Sequence, residues 1–278
     1  MKKIFSLFLT ALTFLTINGV LFNEKQGFDP ANITQNLPFN EQWEVGEVVT
    51  IQDLIFNQQY SYLAQGKQAF AFESEDQQYV IKFLKTRRVR DKKWFCYWQN
   101  WFKFSTPLPI IKYFTRKKEL AELCSRFVLA YSELPQETAL LYVHMNRTNG
   151  LFKTLTVVDG KGKRHEIALD QVPFVVQRKV QLAPDSIQQL LSKNDLEGAK
   201  QAIRALKDLF AARTFKGFTD ERQVFSKNYG FINGQAVQID IGKITKIDPS
   251  QYSEEFSRIC LNLHQWIGRH YEKLNETD

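Results

Sequence analysis

A chain of 278 residues with 44% hydrophobic and 14% aromatic residues carries enough apolar material for one large domain or two small lobes, so a chain without a core is excluded. Its formal charge of +7 is concentrated, because Lys82 to Lys118 holds twelve Lys/Arg against the single acid Asp91, which leaves an anionic partner or a solvated basic face as its meaning. The three cysteines, Cys96, Cys124 and Cys260, show no CxxC spacing, which excludes a zinc framework and reads as three buried thiols.

The amino terminus, MKKIFSLFLTALTFLTINGVLF, places two lysines before an apolar run from Ile4 to Phe22. That is a signal or anchor pattern over residues 1–22. No A-x-A cleavage site follows, and the run approaches the roughly 20 residues a bilayer-spanning helix needs. The protein is therefore expected to be membrane-anchored or exported, with the compartment of the folded body left open by lysines on both sides of the run, Lys2, Lys3 and Lys25. Residues 23–40, rich in amides and carrying Gly27, Pro30 and Pro38, read as a linker. Sequons at Asn32, Asn146 and Asn275 read as chance occurrences.

The folded body begins near Glu41. The run YSYLAQGKQAFAFESEDQQYVIKFL predicts a strand, a turn at Gly66, a second strand, a tight turn at Glu75 to Gln78 and a third strand with Lys82 near its end. An insert over residues 83–118 mixes the cationic run with Trp94, Trp98 and Trp101. Amphipathic aromatics beside cations suit a membrane surface. Base stacking in nucleic-acid binding is the disfavoured rival. From Arg116 to Leu134 the apolar residues Leu120, Leu123, Phe127, Ala130 and Leu134 fall at helical spacing. Next, TLTVVDGKGKRHEIALD predicts a hairpin turning at Asp159 to Gly162, and PFVVQRKVQL a strand that leads out of the sheet. Asp185 to Arg213 forms one or two helices, GFTDERQVFSKNYGFINGQAVQIDIGKI a loop and a hairpin, and SEEFSRICLNLHQWIGRHYEKL a last helix.

This order gives an α+β fold of two lobes with a cleft between them: residues 41–180 an antiparallel sheet with one helix, residues 181–278 a smaller, mainly helical part.

Four separated stretches, LAQGKQAFAF, YVIKF, PFVVQRKV and the loop-hairpin with its Asp-Ile-Gly, stand in the order found in protein kinases and in atypical small-molecule and sugar kinases. The chain resembles that protein kinase-like superfamily. The resemblance implies that Gly66 lets the backbone approach nucleotide phosphates, that Lys82 binds those phosphates, and that the segment holding Gln177 links the lobes and borders the cofactor. It further implies Asp220 as the base that accepts a hydroxyl proton, with Asn228 and Asp240 holding magnesium. A helix carboxylate should pair with Lys82; Glu122 is favoured over Glu119 and Glu133.

The implied activity is an ATP- and Mg2+-dependent phosphoryl transfer to a hydroxyl of a sugar, glycolipid, lipid headgroup or other small substrate, with lipopolysaccharide-type sugar kinases as an analogy. A catalytically inactive, membrane-associated binding module is the alternative. It is motivated by an Asp220 to Asn228 spacing of eight against the family's usual five or so, a single Gly in the nucleotide turn and no H-R-D or A-P-E motif.

Overall fold

The structure, a computed structural model, describes residues 28–34, 37–46, 52–86, 108–271 and residue 274. The apolar segment 1–22 and the insert residues 87–107 with their three tryptophans lie outside that set.

A short helix α1 (Gln52–Phe56) leads into strands β1 (Tyr60–Gln65), β2 (Ala69–Ser74) and β3 (Tyr79–Leu84), the expected antiparallel meander. Its second turn closes with the Gln77 amide donating to the Ser74 carbonyl at 2.9 Å. Helix α2 (Leu108–Glu133) and the single turn α3 (Pro135–Thr138) follow, then β4 (Leu140–His144), β5 (Thr154–Val158), β6 (Arg164–Ala168) and β7 (Phe174–Arg178). These strands form one sheet in the order β4-β7-β3-β2-β1-β5-β6. The sheet is mixed rather than wholly antiparallel, because β5 runs parallel to β1 with Tyr60 opposite Val157. The hairpin β5–β6 thus extends the edge beyond β1, while β4 forms the opposite edge.

Period-two alternation divides the sheet into two cores. One face presents Phe70, Phe72, Ile81, Phe83, Phe174 and Val176, closed by Phe28, Ile33 and Ile55. Phe72, Phe83 and Phe174 are fully enclosed, and each such ring stabilises the fold by roughly 1.5–3 kcal/mol relative to exposure. The other face presents Leu84, Val143 and Val175 to Leu120, Leu123, Cys124, Phe127 and Ala130 of α2. The predicted apolar stripe of that helix is therefore its sheet-facing side. Cys260 is only partly buried, against the expectation of three buried thiols, whereas Cys124 is buried. Asn146 of one sequon is also buried, its amide donating to Glu44 at 2.6 Å and to the Asn40 carbonyl at 2.9 Å.

The chain then leaves the large sheet. After Arg178 it enters β8 (Gln181–Leu182), which belongs to a second sheet, followed by α4 (Ala183–Ser192) and α5 (Leu196–Phe215), the latter N-capped by Asp195, whose Oδ1 accepts from the Gly198 amide at 2.8 Å. Strands β9 (Phe218–Asp220), β10 (Tyr229–Ile232), β11 (Gln235–Gln238) and β12 (Ile244–Lys246) precede the last helix α6 (Tyr252–His270). The second sheet has the order β11-β10-β8, and β9 pairs separately with β12. Three helices close over the hairpin, burying Ile187, Leu206, Phe210, Tyr229, Leu263 and Trp266 together. Gly230 is required here: a Cβ would stand 2.5 Å from the Gln181 carbonyl oxygen and from a Val180 methyl, where the crossing segment lies on β10.

Candidate functional site

Lys82 sits on β3 between Val80 and Leu84, on the α2-facing side of the sheet. Its neighbours across the ladder are Ala71 on β2 and Val175 on β7, and the small Ala71 leaves the long side chain a path outward. The ammonium donates to the Ile239 carbonyl at 2.6 Å, joining the first lobe to a residue 157 positions later. Desolvation lowers the Lys82 pKa to about 8, and the charge of Asp240 opposes that fall. Part of the side chain stays accessible, but the ammonium lies deep enough for desolvation to dominate.

The second half of the site is the β10–β11 hairpin. Asn233 and Gly234 turn it with φ of 50° and 81°, the conformation that an Asn-Gly pair supplies at little cost. The ladder runs one residue past β11, the Ile239 amide donating to the Asn228 carbonyl at 2.8 Å, so Asn228 lies opposite Ile239 and next to the turn that bears Asp240. Asp240 is exposed, and its Oδ1 accepts from the Gly242 amide at 3.2 Å. Gly242 is the close approach: a Cβ there would meet Gln68 Oε1 at 2.2 Å, so the β1–β2 turn rests on the Asp-Ile-Gly segment. From the helix side, Arg126 Nη1 donates to the Gly242 carbonyl at 2.8 Å.

Asp220 ends β9 and is buried to 1% exposure. Oδ1 accepts from the Arg222 amide at 2.9 Å, and Oδ2 from Gln238 Nε2 at 2.8 Å. Burial pushes its pKa up to about 6; the Arg222 amide, the Arg213 guanidinium and Gln238 pull it down, and Asp240 adds to the rise. Such a carboxylate is ionised at neutral pH yet basic enough to take a proton, the combination general-base chemistry requires.

Of the residues singled out in the sequence, Lys82, Asp220, Asn228 and Asp240 are therefore gathered around one turn. The others fall differently. Gly66 closes the β1–β2 turn, its amide donating to the Ala69 carbonyl at 2.9 Å and its carbonyl accepting from Lys85 at 2.7 Å. No heavy atom lies within 4 Å of where a Cβ would project, so this face of the turn is open. Glu122 stands half-exposed between Lys118 and Arg126, 3.9 Å from each. Among the described residues no salt bridge joins Lys82 to a helix carboxylate, and the backbone of Ile239 holds it in place of Glu122. Gln177 is buried with Nε2 donating to the Thr138 carbonyl at 2.9 Å, which ties β7 to α3.

Sequence reasoning passed over Gln238, Arg213, Arg126 and Gln68, the four side chains that brace the turn. The exposed carboxylate of Asp240 is a hard oxygen donor, and Asn228, opposite Ile239 in the ladder, carries a second such donor type, a set that fits magnesium. Among the described residues no group of three or more His, Cys, Asp or Glu converges on a metal position, so a cation held here needs oxygens from a ligand or water. A separate cavity of about 400 Å³, walled by Trp43, Tyr142, His144 and Leu151, contains none of the candidate site residues named above.

No family model matches the chain, and no curated protein matches its sequence. Among solved structures, a crystal structure of WbdD is 15% identical over 73% of this chain and 37% of its own, with a TM-score of 0.37. Its complex with a kinase inhibitor gives 14%, 72%, 37% and 0.36; another structure describes WbdD as a bifunctional kinase-methyltransferase. The erythromycin complex of Rv3197 from Mycobacterium tuberculosis is 13% identical over 80% of this chain and 58% of its own, with a TM-score of 0.32. This chain thus spans about 37% of the length of WbdD, and overlap this partial bears no weight on the site. What the molecule itself displays is a two-lobed α+β fold in which the β3 lysine reaches the Asp-Ile-Gly turn of the second lobe.

Proposed function

We propose that the protein is an ATP- and Mg2+-dependent phosphotransferase that acts on a hydroxyl of a sugar, glycolipid, lipid headgroup or other small substrate. The observation that carries this reading is the contact of the Lys82 ammonium with the residue preceding Asp240. A strand lysine with a depressed pKa gains from any anion that enters beside it, because phosphate oxygens replace the hydration it has lost. Gly66, open on its outer face, would let the β1–β2 turn come close to such a ligand.

Asn228 and Asp240 would hold magnesium, which when bound neutralises phosphate charge and orients the transferred group. Asp220 receives the proton of the attacking hydroxyl, and its pKa near 6 leaves it unprotonated at neutral pH. Positioning and charge neutralisation supply the acceleration, with no covalent enzyme intermediate. The second lobe, with three helices after the lobe crossing, suits a small acceptor better than a folded protein. The apolar amino-terminal segment and the basic, aromatic insert would place the cleft at a membrane surface. Among the described residues no helix is long and apolar enough to cross a membrane.

The second reading is a binding module without turnover. It is favoured by a Lys82 held by a backbone carbonyl instead of a helix carboxylate, and by the Gln68 side chain lying on Gly242. Thermal unfolding with ATP alone and with ATP plus Mg2+ tests the pair, combined with phosphate release from γ-labelled ATP. Magnesium-dependent stabilisation that disappears in Asp240→Ala, together with turnover, is the expected result. Stabilisation without turnover assigns the module, and neither response with a folded protein overturns both readings.

A further inference from the structure

We propose that Gln238 and Arg213 are the positioning residues of the base: Arg213 dictates which way the Gln238 amide faces, and Gln238 holds Asp220 and the Asp240 turn in one register. The catalytic meaning of this inference rests on the phosphotransferase reading; the geometry stands apart from it.

Four elements meet at one amide. Gln238, at the end of β11, is fully enclosed. Its Oε1 accepts from Nη1 of Arg213, which projects from the last turn of α5 and is itself fully enclosed. Its Nε2 donates to Asp220 Oδ2 at the end of β9 and to the Asp240 main-chain carbonyl, each at 2.8 Å. A carboxamide has one acceptor end and one donor end, whereas a guanidinium has donors alone. With Arg213 beside it, one amide orientation satisfies every partner. The flipped orientation sets NH2 against the guanidinium and an oxygen against both the Asp220 carboxylate and the Asp240 carbonyl, which leaves buried groups unsatisfied. Because a guanidinium presents no acceptor, Arg213 enforces that one orientation.

The consequence for the site is geometric. One oxygen of Asp220 is pinned by the Arg222 amide and the other by Gln238, so the plane of the carboxylate is fixed. The same NH2 group reaches the backbone of Asp240, which ties the base to the turn that bears the proposed metal ligand. Arg213 makes no hydrogen bond to the Asp220 carboxylate, on which its charge acts from a distance; its hydrogen bonds go to Gln238 and, at 3.5 Å, to the Tyr229 hydroxyl, so it orients the base through Gln238. Its Nε and Nη2 have no hydrogen-bond partner among the described residues, so Gln238 is the principal group it serves.

Gln238→Glu separates positioning from support of the fold. The new carboxylate still accepts from Arg213, but it replaces the donor facing Asp220 with an acceptor. In the full chain with Mg-ATP, the expected result is a melting temperature within about 5 °C of wild type, a KM for ATP changed less than threefold and a kcat lowered by about 30- to 100-fold. Arg213→Lys, which keeps a cationic donor, should retain at least a third of kcat, while Arg213→Met should lose as much as Gln238→Glu. Wild-type kcat in folded Gln238→Glu overturns the proposal. If the wild type shows no turnover, the phosphotransferase reading fails separately, and exchange of the Gln238 side-chain amide protons with solvent deuterium still tests the geometry. Slow exchange in wild type and in folded Arg213→Lys, with about tenfold faster exchange in folded Arg213→Met, supports it; equal exchange in wild type and folded Arg213→Met overturns it.

Discussion

Lys82 in the first lobe and Arg213 in the second are long cations drawn out of water on either side of the same cleft, and they are held in opposite ways. Lys82 donates to a backbone carbonyl, keeps part of its side chain accessible and has its pKa lowered to about 8 by desolvation. Arg213 is wholly enclosed and faces a side-chain amide whose other end reaches Asp220. An ammonium is a point charge that gives up its proton when desolvated, whereas a guanidinium keeps its charge and presents a fixed fork of donors. The first cation is therefore suited to respond to an arriving anion and the second to keep a pre-set geometry. The site combines one adjustable charge with one permanent one.

The most direct way to break this comparison is to remove the adjustable cation. Lys82→Ala is expected to lower phosphoryl transfer by about a thousandfold or more while leaving the protein folded, because the residue contributes no apolar packing that α2 depends on; initial rates with γ-labelled ATP check it. Asp220→Asn should lower kcat by about a hundredfold to ten-thousandfold with ATP affinity within threefold of wild type. In the wild type the acidic limb of kcat should fall near pH 6, since protonation below the raised pKa of Asp220 removes the base.

A third test concerns the scaffold between the two cations. Gly230→Ala should destabilise the protein by about 3 kcal/mol in denaturant unfolding, because the new Cβ meets the Gln181 carbonyl at 2.5 Å in a ladder that cannot yield. Gly242→Ala meets a side-chain oxygen instead, at 2.2 Å, so its cost should largely vanish in a Gln68→Ala background. A smaller effect sharpens the contrast in charge: ATP affinity should weaken by several-fold between pH 7.5 and 9.5 as Lys82 loses its proton above about 8. For a lysine whose folded pKa is lowered, the same shift means that folding is penalised fully below about 8 and released towards the unfolded value of 10.5. Last comes Glu122→Gln, expected to change stability by less than about 1 kcal/mol and activity less than twofold, since its two ion pairs are long and half-exposed.

Much of the fold was legible in the residues because its signals are local. The β1–β3 meander, the hairpin β5–β6, the apolar stripe of α2 and the Asn-Gly turn follow from alternation, helical spacing and turn chemistry. Strand β4 was not, because LLYVHM has no alternation and gives no periodic cue. The parallel pairing of β5 with β1 joins segments almost a hundred residues apart, so neither strand announces it. The site shows the same division. Lys82, Asp220, Asn228 and Asp240 stood out as an ordered set, but the partner of Lys82 was expected on α2 as Glu122. Spacing along a helix says which residues share a face, and it does not say how far that helix is rotated against a sheet.

The sequence by itself determined the type and order of most elements, because propensity and periodicity act over a few residues at a time, and the family resemblance of its motifs singled out Lys82, Asp220, Asn228 and Asp240. Tertiary structure alone decided that the Ile239 carbonyl receives Lys82, that Arg213 orients Gln238 and that Gly230 lies under the crossing chain. Those contacts depend on ångström-scale distances between elements set by the packing of the sheet and helical cores, and the burial that makes them strong exists only after the lobes have closed.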